Sequence, residues 1–317
     1  MHLFTIRNAG RSGAAVAIGA ELLDLAGAAE AVPAARVLPP SVRGILEGGE
    51  EMLAQVRRAA DQVAGSAPLA ERLREGGALL ARDRARLLAP IPDPGFILSC
   101  GMNYHAHLRE MKSAVPDAPV AFAKSAAAII GPGAAIRLPK ANPNMVDWEG
   151  EFCAVIGRPC HNVSEKEAMD YVAGYTLVND VSARDWVAPI AAATGTMGPI
   201  LAWDKNILGK QFPTFCPMGP AVVTRDEIRD PHDVALRTTL NGAVMQSANT
   251  NDLVFNVPQL IAYYSQFYLL RPGDVVTTGS PSGVGYGREP KVFMHVGDTV
   301  EVSASGIGTL ANPVAAG

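Results

Sequence analysis

Two glutamates separated by one residue are the first sign of chemistry in this chain. Glu149 and Glu151 stand at the head of an apolar run, residues 152–156, that predicts a strand. Because side chains alternate between the two faces of a strand, both carboxylates point the same way. Carboxylates held side by side repel each other and are costly to bury unless a positive group lies between them. Oxygen ligands of this kind suit Mg²⁺, Mn²⁺ or Ca²⁺, although a solvated strand edge is the alternative interpretation of a lone Glu-x-Glu motif.

A third carboxylate follows a second predicted strand. Asp180 ends the apolar segment 174–180, a position from which a side chain is rigidly aimed and still reaches a cleft. Such an aspartate can also simply cap the next turn. Together with Glu149 and Glu151 it predicts a three-carboxylate metal site. Three protein oxygens leave about half of an octahedral Mg²⁺ shell for water or a chelating substrate, and a cation held in this way polarises a bound carbonyl.

A histidine and a glutamate three residues apart form the next candidate pair. His107 and Glu110 share one face of a helical turn, where they can hydrogen-bond. A carboxylate that orients an imidazole gives a general base able to activate water, although such pairs are also common on helix surfaces. His105 lies on another face and is assigned no role. The segment 108–119 has few apolar anchors and ends in prolines, which predicts a lid that orders over substrate.

Three basic side chains and a glycine-rich turn complete the candidate site. Lys124 ends a predicted strand and Lys210 follows a glycine, and both are candidates for the oxygens of an anionic substrate. Arg184 can bind a carboxylate through two nitrogens, although each of these three charges could also be a solvated surface group. The turn at 277–285 lacks the Gly-Lys-Ser/Thr ending of a phosphate loop. We expect it to offer backbone N–H groups and the Ser280 hydroxyl to a carboxylate.

The elements that must position these residues fall into two parts. The chain has 317 residues, 48% of them hydrophobic, which is enough for one large core or two smaller ones. In residues 1–90, short alternating segments predict a small sheet, and the apolar spacing that follows predicts helix. A proline-rich segment at 90–95 leads into residues 91–317, which are mostly strands, with helices predicted around 165–172 and 257–267. The predicted fold class is β-rich α+β, with a small N-terminal α+β domain before a larger domain built on a mixed, curled sheet.

Charge and composition restrict the partners. Lys and Arg number 27 against 31 Asp and Glu, the formal net charge is -4, and no basic run is present. This argues against nucleic acid or an anionic membrane as the partner and favours a small molecule. No apolar stretch approaches the roughly 20 residues that span a bilayer, and the N-terminus has no signal-peptide layout. The four cysteines are scattered, so we expect reduced core thiols in a soluble cytoplasmic protein.

Eight short motifs between about residue 96 and residue 312 follow one another in a distinctive order. In sequence letters they are NYxxHxxE from residue 103, FxK from 122, ExE from 149, NDVSARD from 179, GK from 209, PMGP from 217, NG from 241 with Gln246, and TGSPxGVG from 278. With these motifs in this order and spacing, the chain resembles the fumarylacetoacetate hydrolase family over roughly its last two thirds.

The resemblance implies a fold, a metal and roles for the candidate residues. The implied fold is the family's mixed β-sandwich/roll catalytic domain, usually in a homodimer. The implied ligands of Mg²⁺ or Mn²⁺ (or, in a crystal, Ca²⁺) are Glu149, Glu151 and Asp180. The other implied roles are a water-activating dyad of His107 and Glu110, catalytic Lys124 and Lys210 around the substrate oxygens, and Tyr104, Arg184 and Ser280 as substrate contacts.

Three departures from the family's pattern concern the pocket. Gln211-Phe212-Pro213 stands where many members have Ser-Phe-Asp, so one carboxylate is missing, whereas Ser280 keeps the hydroxyl of the usual threonine. Trp186-Val187 stands where acylpyruvase-like members have a glutamine that orients substrate, which lowers the expectation of oxaloacetate decarboxylation. The insertion at 187–203, rich in Gly, Ala and Thr, predicts a less polar pocket wall.

Three functions remain open from the sequence. The leading hypothesis is a metal-dependent hydrolase that cleaves a C–C bond in a 2,4-dioxo acid, such as an acylpyruvate or a fumarylacetoacetate-like acid, with water activated by His107 and Glu110. The alternative within catalysis is a decarboxylase, lyase or isomerase acting on a related 2-oxo or dienoate catabolite of aromatic or sugar-acid breakdown. A non-catalytic oxoacid sensor would require a broken carboxylate triad or a lost dyad, and the sequence has neither defect.

Overall fold

The computed structural model describes residues 1–141, 143–186 and 192–317. The strands within these ranges are β1 (His2–Asn8), β2 (Arg11–Ile18), β3 (Glu21–Asp24), β4 (Leu79–Ala81), β5 (Arg86–Leu88), β6 (Ile97–Gly101), β7 (Val120–Ala123), β8 (Ile129–Ile130), β9 (Ile136–Leu138), β10 (Val146–Asp147), β11 (Gly150–Ile156), β12 (Val172–Asn179), β13 (Ser182–Ala183), β14 (Cys216–Thr224), β15 (Ala235–Leu240), β16 (Ala243–Asn249), β17 (Val275–Thr277), β18 (Thr299–Ala304) and β19 (Gly308–Ala316). The α-helices are α1 (Leu25–Ala28), α2 (Val42–Glu47), α3 (Gly49–Ala64), α4 (Ala67–Glu75), α5 (His105–Glu110), α6 (Glu165–Ala168), α7 (Met197–Leu208) and α8 (Val257–Ser265).

One large sheet contains the N-terminal strands together with the strands that carry the candidate site. Its strands follow the order β4-β3-β2-β1-β14-β12-β11-β17-β6-β7, with β5 beside β1 and β8 beside β14. The N-terminal strand β1 pairs antiparallel with β14, where Leu3 lies opposite Val222. The N-terminal strands therefore extend the sheet that carries the candidate site. This sheet continues across the predicted boundary between residues 1–90 and 91–317. The division into two domains stays a prediction.

A second sheet, in the order β16-β15-β18-β19-β9, packs against the first. Phe152 and Leu177 of the large sheet share one buried apolar cluster with Leu236 and Val302 of the second. The two sheets approach each other closely at Gly150, where a Cβ atom would lie 2.2 Å from the Thr238 hydroxyl oxygen. Only glycine fits between the two glutamates for this reason. The predicted β-rich α+β fold, with a sandwich of sheets, is confirmed.

The helices differ in part from those that the sequence predicts. The helix expected around 257–267 is α8, whose N-terminus is capped by Asn256 as its side chain accepts the N–H of Gln259 (3.1 Å). The helix expected around 165–172 is shorter, because the β-branched Val172 already begins β12. Helix α7 was not predicted, since the Gly and Pro residues in and before its first turn hide its apolar spacing.

The N-terminal helices and the thiols follow the predictions. Apolar positions of α2 and α3, including Ile45, Val56 and Val63, are buried in one cluster with Leu3 and Val16 of the sheet. All four cysteines are buried and carry free thiols. Within the described ranges, the helices are all too short or too polar to cross a membrane.

Candidate metal and active site

The pairing of β11 with β12 brings the three predicted metal ligands together. Gly150 lies opposite Asn179 in the antiparallel register, and Asp180 follows directly. The Asp180 N–H donates to the Glu149 carbonyl (2.8 Å), and the Glu149 N–H donates to Oδ1 of Asn179 (2.9 Å). These bonds fix the two strand ends relative to each other. As a result, one oxygen from each of Glu149, Glu151 and Asp180 lies within 4.8 Å of the others.

The three carboxylates fit a hard divalent cation. All three are buried, and Oε2 of Glu151 has no hydrogen-bond partner among the described residues. Burial, with the charges of Asp180 and Glu149, raises the pKa of Glu151 well above its usual range. A buried carboxylate oxygen without a donor is costly unless a cation accompanies it. Because Mg²⁺ and Mn²⁺ prefer oxygen donors, these residues are able to hold such an ion.

Lys210 lies among the carboxylates. Its ammonium nitrogen donates to Oε2 of Glu149 (2.5 Å), to Oδ2 of Asp180 (2.8 Å) and to the Ser182 hydroxyl (2.7 Å). Burial alone would lower the pKa of Lys210, but the charges of Asp180 and Glu149 outweigh it and raise that pKa. The side chain therefore stays protonated at neutral pH and supplies a fixed positive charge beside the metal ligands.

Lys124 supports Asp180 from the other side. Its ammonium group is buried, donates to Oδ1 of Asp180 and reaches the Lys210 carbonyl (2.6 Å). Burial opposes the ionisation of Asp180, yet the two lysines hold the pKa of this carboxyl well below its usual range. The departure at Gln211 has a structural use here: its side-chain amide bonds to the backbone of Ala123 (3.1 Å) and Ser125 (2.8 Å), on both sides of Lys124.

Arg184 is held by a fourth carboxylate that the sequence analysis did not single out. Its Nε donates to Oδ2 of Asp147 (2.9 Å), and its Nη2 donates to Oε1 of Glu149 (2.5 Å). Asp147 also accepts the backbone N–H groups of Gly285 (2.7 Å) and Tyr286 (3.0 Å). Burial raises the pKa of Asp147, and Arg184 offsets part of that rise. The signal in the sequence was the spacing of two residues between Asp147 and Glu149, which repeats the spacing to the next glutamate.

The histidine and glutamate of α5 form a pair anchored to the glycine-rich turn. Nδ1 of His107 lies 2.9 Å from Oε2 of Glu110, and Oε1 of Glu110 accepts the Gly283 N–H (2.9 Å). Both oxygens of Glu110 are thus occupied, which fixes the imidazole. The backbone N–H groups of the turn donate to carboxylates, as expected. These carboxylates belong to the protein itself, namely to Glu110 and Asp147.

Gln246 connects β11, the strand of Glu151, with Ser280. Its Oε1 accepts the Gly150 N–H (3.0 Å), and its Nε2 donates to the Ser280 hydroxyl oxygen (2.8 Å) and to the Pro281 carbonyl (2.8 Å). Since both the amide oxygen and the amide nitrogen are used, Gln246 fixes the distance between β11 and the turn. The sequence alone assigns Gln246 no role.

Tyr104, a predicted substrate contact, lies in the core beside the site. Its side chain is fully buried, and its backbone bridges to Leu253. Asn103 next to it links the end of β17 to the loop before α8, because its side-chain amide donates to the carbonyls of Thr278 (2.9 Å) and Phe255 (3.0 Å). The Asn-Tyr pair therefore anchors α5 in the core, and Tyr104 does not line the cavity described next.

A cavity of about 470 Å³ opens onto these side chains. Its charged lining consists of Glu149, Glu151, Asp180, Arg184 and Lys210. Its apolar lining consists of Met102, Met111, Val120, Phe122, Trp203 and Val284. The remaining lining residues are Cys100, Gly101, His107, Ser113, Asn206, Ser280 and Tyr286. The predicted dyad histidine and Ser280 thus face the same space as the carboxylates, whereas Glu110 and Lys124 contact lining residues from behind.

Two predictions concern segments next to the cavity. Met111 and Ser113, from the segment expected to form a lid, line it. Of the insertion at 187–203, residues 187–191 lie outside the described residues, and so does Val187 of the Trp186-Val187 departure. The described end of that insertion contributes Trp203.

Comparison with known proteins places the chain in a family. The family model "Fumarylacetoacetate (FAA) hydrolase C-terminal" matches residues 97–315. The chain belongs to the fumarylacetoacetate hydrolase family. A relative from Xenopus laevis, named oxaloacetate tautomerase fahd2, mitochondrial, is 42% identical over 281 residues, covering 87% of this chain and 79% of that protein. The family is one of enzymes, in agreement with the intact triad and dyad.

Solved structures of the family share the fold over the whole chain. A fumarylacetoacetate hydrolase from psychrophilic Exiguobacterium antarcticum is similar with a TM-score of 0.77 at 30% identity, covering 100% of both chains. Maleylpyruvate hydrolase from a Sphingobium species, solved in complex with manganese(II) and pyruvate, is similar with a TM-score of 0.71 at 26% identity, again over 100% of both chains.

The relatives correct one prediction from the sequence. The Xenopus laevis protein and a human relative (40% identical over 277 residues, 87% of this chain and 80% of that protein) are both named as mitochondrial. The predicted cytoplasmic location is contradicted by these names. Composition was an insufficient basis for it, because any aqueous compartment selects the same charged surface and apolar core.

Proposed function

We propose that this chain catalyses the metal-dependent keto–enol tautomerisation of a 2-oxo acid, with oxaloacetate as the first candidate substrate. The observation that carries the proposal is the charged lining of the cavity, where three carboxylates able to hold a cation lie beside Lys210, Arg184 and His107. The relatives named oxaloacetate tautomerase cover 87% of the chain, which favours this reaction over others in the family.

The charged lining suits a reaction in which negative charge develops on a ketone oxygen. A divalent cation held by Glu149, Glu151 and Asp180 would supply Lewis-acid polarisation of a carbonyl. Lys210 adds a protonated ammonium group, and Arg184 is fixed in place by Asp147. Positive groups that are already oriented stabilise developing charge without reorganising, which is the largest contribution in many enzymes.

His107 is the candidate proton carrier. Because its Nδ1 faces Glu110, the tautomer with the proton on Nδ1 leaves the basic lone pair on Nε2. In the proposed reaction this base takes a proton from C3, the electron pair of the broken C–H bond forms the C2=C3 double bond, and the ketone oxygen gains a proton. The reverse sequence returns the keto form, so no other reactant is consumed.

A second candidate is the C–C hydrolysis that the sequence analysis favoured. The His107–Glu110 pair supports it, since the same base could take a proton from water. The likeness to maleylpyruvate hydrolase with manganese(II) and pyruvate also supports it. The partner in either case is a small 2-oxo or dioxo acid, the ion is Mg²⁺ or Mn²⁺, and a homodimer stays a prediction.

Two assays separate the candidates. The first follows the loss of enol absorbance of freshly dissolved enol-oxaloacetate with Mn²⁺, and again with EDTA. The second incubates acylpyruvates in H₂¹⁸O, where only hydrolysis places the label in a product carboxylate. We expect metal-dependent ketonisation without formation of pyruvate from oxaloacetate. Label in the products without any effect on the enol would replace the tautomerase by the hydrolase.

A further inference from the structure

The cavity has an apolar lining that a four-carbon acid does not need. Val120 and Phe122 lie two residues apart on β7 and so present side chains on the same face. Trp203 reaches the cavity from α7, and Met111 reaches it from the end of α5. The Phe122 ring lies 5.7 Å from the ammonium nitrogen of Lys210, so the apolar lining begins directly beside the charged lining.

The size of the cavity points the same way. Its volume of about 470 Å³ falls in the range of pockets that bury drug-sized ligands, roughly 300–1,000 Å³. Oxaloacetate is a small, fully polar acid, and the charged lining with Ser280 already offers it polar partners. The apolar side chains are then left beside empty volume that a larger ligand could fill. Among the residues of the apolar lining, Trp203 is 40% exposed and has the most surface that a ligand could bury.

The cationic groups of the cavity are already paired with carboxylates of the protein. Among the described lining residues, the cationic side chains are Arg184 and Lys210, and both hold carboxylates of the charged lining. His107 is held by Glu110. A ligand that extends along the apolar lining therefore gains more from an uncharged tail than from a second carboxylate.

We propose that the site also tautomerises 2-oxo acids that carry an apolar, ring-sized substituent on C3, with Trp203 as the residue that selects them. This inference rests on the proposed function and extends it to a second class of substrate. The step is the same: the C3–H bond breaks, the C2=C3 bond forms, and the ketone oxygen takes the proton. The substituent only adds contacts with the apolar lining, which stabilise the bound acid by burial.

The test measures two enols with the metal-loaded protein. Enol-phenylpyruvate and enol-oxaloacetate are each followed by their enol absorbance with Mn²⁺, and kcat/KM is obtained for both. We expect both to be ketonised. In Trp203→Ala, the ratio of the phenylpyruvate value to the oxaloacetate value should fall roughly tenfold or more, which is the discrimination that a lost apolar contact provides. The matched control is Leu201→Ala, since Leu201 is exposed on the same helix outside the cavity lining, and its ratio should not change.

A binding measurement gives a readout that needs no turnover. Calorimetric titration compares 3-phenyllactate with lactate, which have a hydroxyl in place of the ketone and cannot enolise. Tighter binding of the phenyl compound, with the difference lost in Trp203→Ala, supports the inference. Turnover of oxaloacetate alone, or an unchanged ratio in Trp203→Ala, overturns the inference and leaves the proposed function standing. Turnover of neither enol overturns both.

Discussion

The ammonium nitrogen of Lys210 lies 2.5 Å from Oε2 of Glu149. The same nitrogen lies 2.8 Å from Asp180, so one lysine bridges two of the three carboxylates that we assign to a metal. Glu151 is the member of this group without a cationic contact among the described residues. The three carboxylates therefore contact one positive charge of the protein and are able to hold a second one supplied from solution.

The lysine should oppose metal binding while it helps the reaction. Removing a unit charge near a cation changes their interaction by about 1–4 kcal/mol at short range. We expect Lys210→Met to bind Mn²⁺ more tightly than the wild type. At saturating Mn²⁺ we expect the same variant to have a lower kcat. The control is Lys166→Met, which changes an exposed lysine on α6. Weaker Mn²⁺ binding together with the loss of kcat would argue that Lys210 only holds the ligands in place.

Metal should stabilise the fold through Glu151. Binding of an ion to the folded state alone stabilises it by about 2.7 kcal/mol at a hundredfold excess over Kd. We expect Mn²⁺ to raise the Tm of the wild-type protein and not that of Glu151→Gln. Without metal, the amide should unfold at an equal or higher temperature, because it removes a buried carboxylate that lacks a donor. Glu165→Gln, an exposed change on α6, should respond to Mn²⁺ like the wild type.

Asp180 should make the metal-free protein sensitive to acid. Its pKa is lowered in the folded state because the two lysines outweigh burial. A group of this kind contributes stability above its ordinary pKa of 3.8, and that stability is lost as the pH falls towards the lower value. Lys124→Met removes one of the two partners and should cost about 3 kcal/mol or more at neutral pH. Urea unfolding with EDTA at pH 7 and pH 3 measures both effects, and an equal loss at the two pH values would contradict the assignment.

The activity of His107 as a base should depend on Glu110. Proton transfer by a positioned side chain contributes roughly 10²–10⁴-fold to a rate, and Glu110 fixes the imidazole of His107 from 2.9 Å. We expect Glu110→Gln to lower kcat by roughly a hundredfold with little change in KM or in Mn²⁺ affinity. An unchanged kcat would remove His107 and its partner from the mechanism.

The close approach of the two sheets should make Gly150 irreplaceable. An added Cβ would lie 2.2 Å from the Thr238 hydroxyl oxygen, and such overpacking costs about 1–3 kcal/mol. We expect Gly150→Ala to lower the free energy of unfolding and the Mn²⁺ affinity together, because Gly150 separates two ligands. Gly13→Ala is the control, since the nearest atoms to its added Cβ lie 3.9 Å away, an ordinary contact distance, and Gly13 is outside the cavity lining.

The sequence predicts that Glu149, Glu151 and Asp180 lie together because their placement follows from local rules. Glu149 and Glu151 share a face through strand periodicity, and Asp180 ends the neighbouring strand. His107 and Glu110 pair through helical spacing. Each of these relationships spans a few residues or one strand pairing.

The contacts that the sequence does not predict are those made across the fold. Gln246 reaches Gly150, which is 96 positions away in the chain, and Lys124 reaches the Lys210 carbonyl across 86 positions. The spacing of Asp147 from Glu149 indicates that this aspartate shares their strand face, but no local pattern indicates its pairing with Arg184 or the burial of Tyr104. These outcomes depend on which strands and turns become neighbours, and that is decided by the packing of the whole sheet.

The most direct test of the account is a titration of metal-free protein with Mn²⁺ in which bound metal and the ketonisation rate of enol-oxaloacetate are measured on the same samples. We predict that the rate rises in step with the filling of one site per chain, and that Glu151→Gln both weakens binding and lowers the rate. Ketonisation at the full rate in EDTA, or a Glu151→Gln protein with unchanged Mn²⁺ affinity, would contradict the central claim that these three carboxylates hold the catalytic ion.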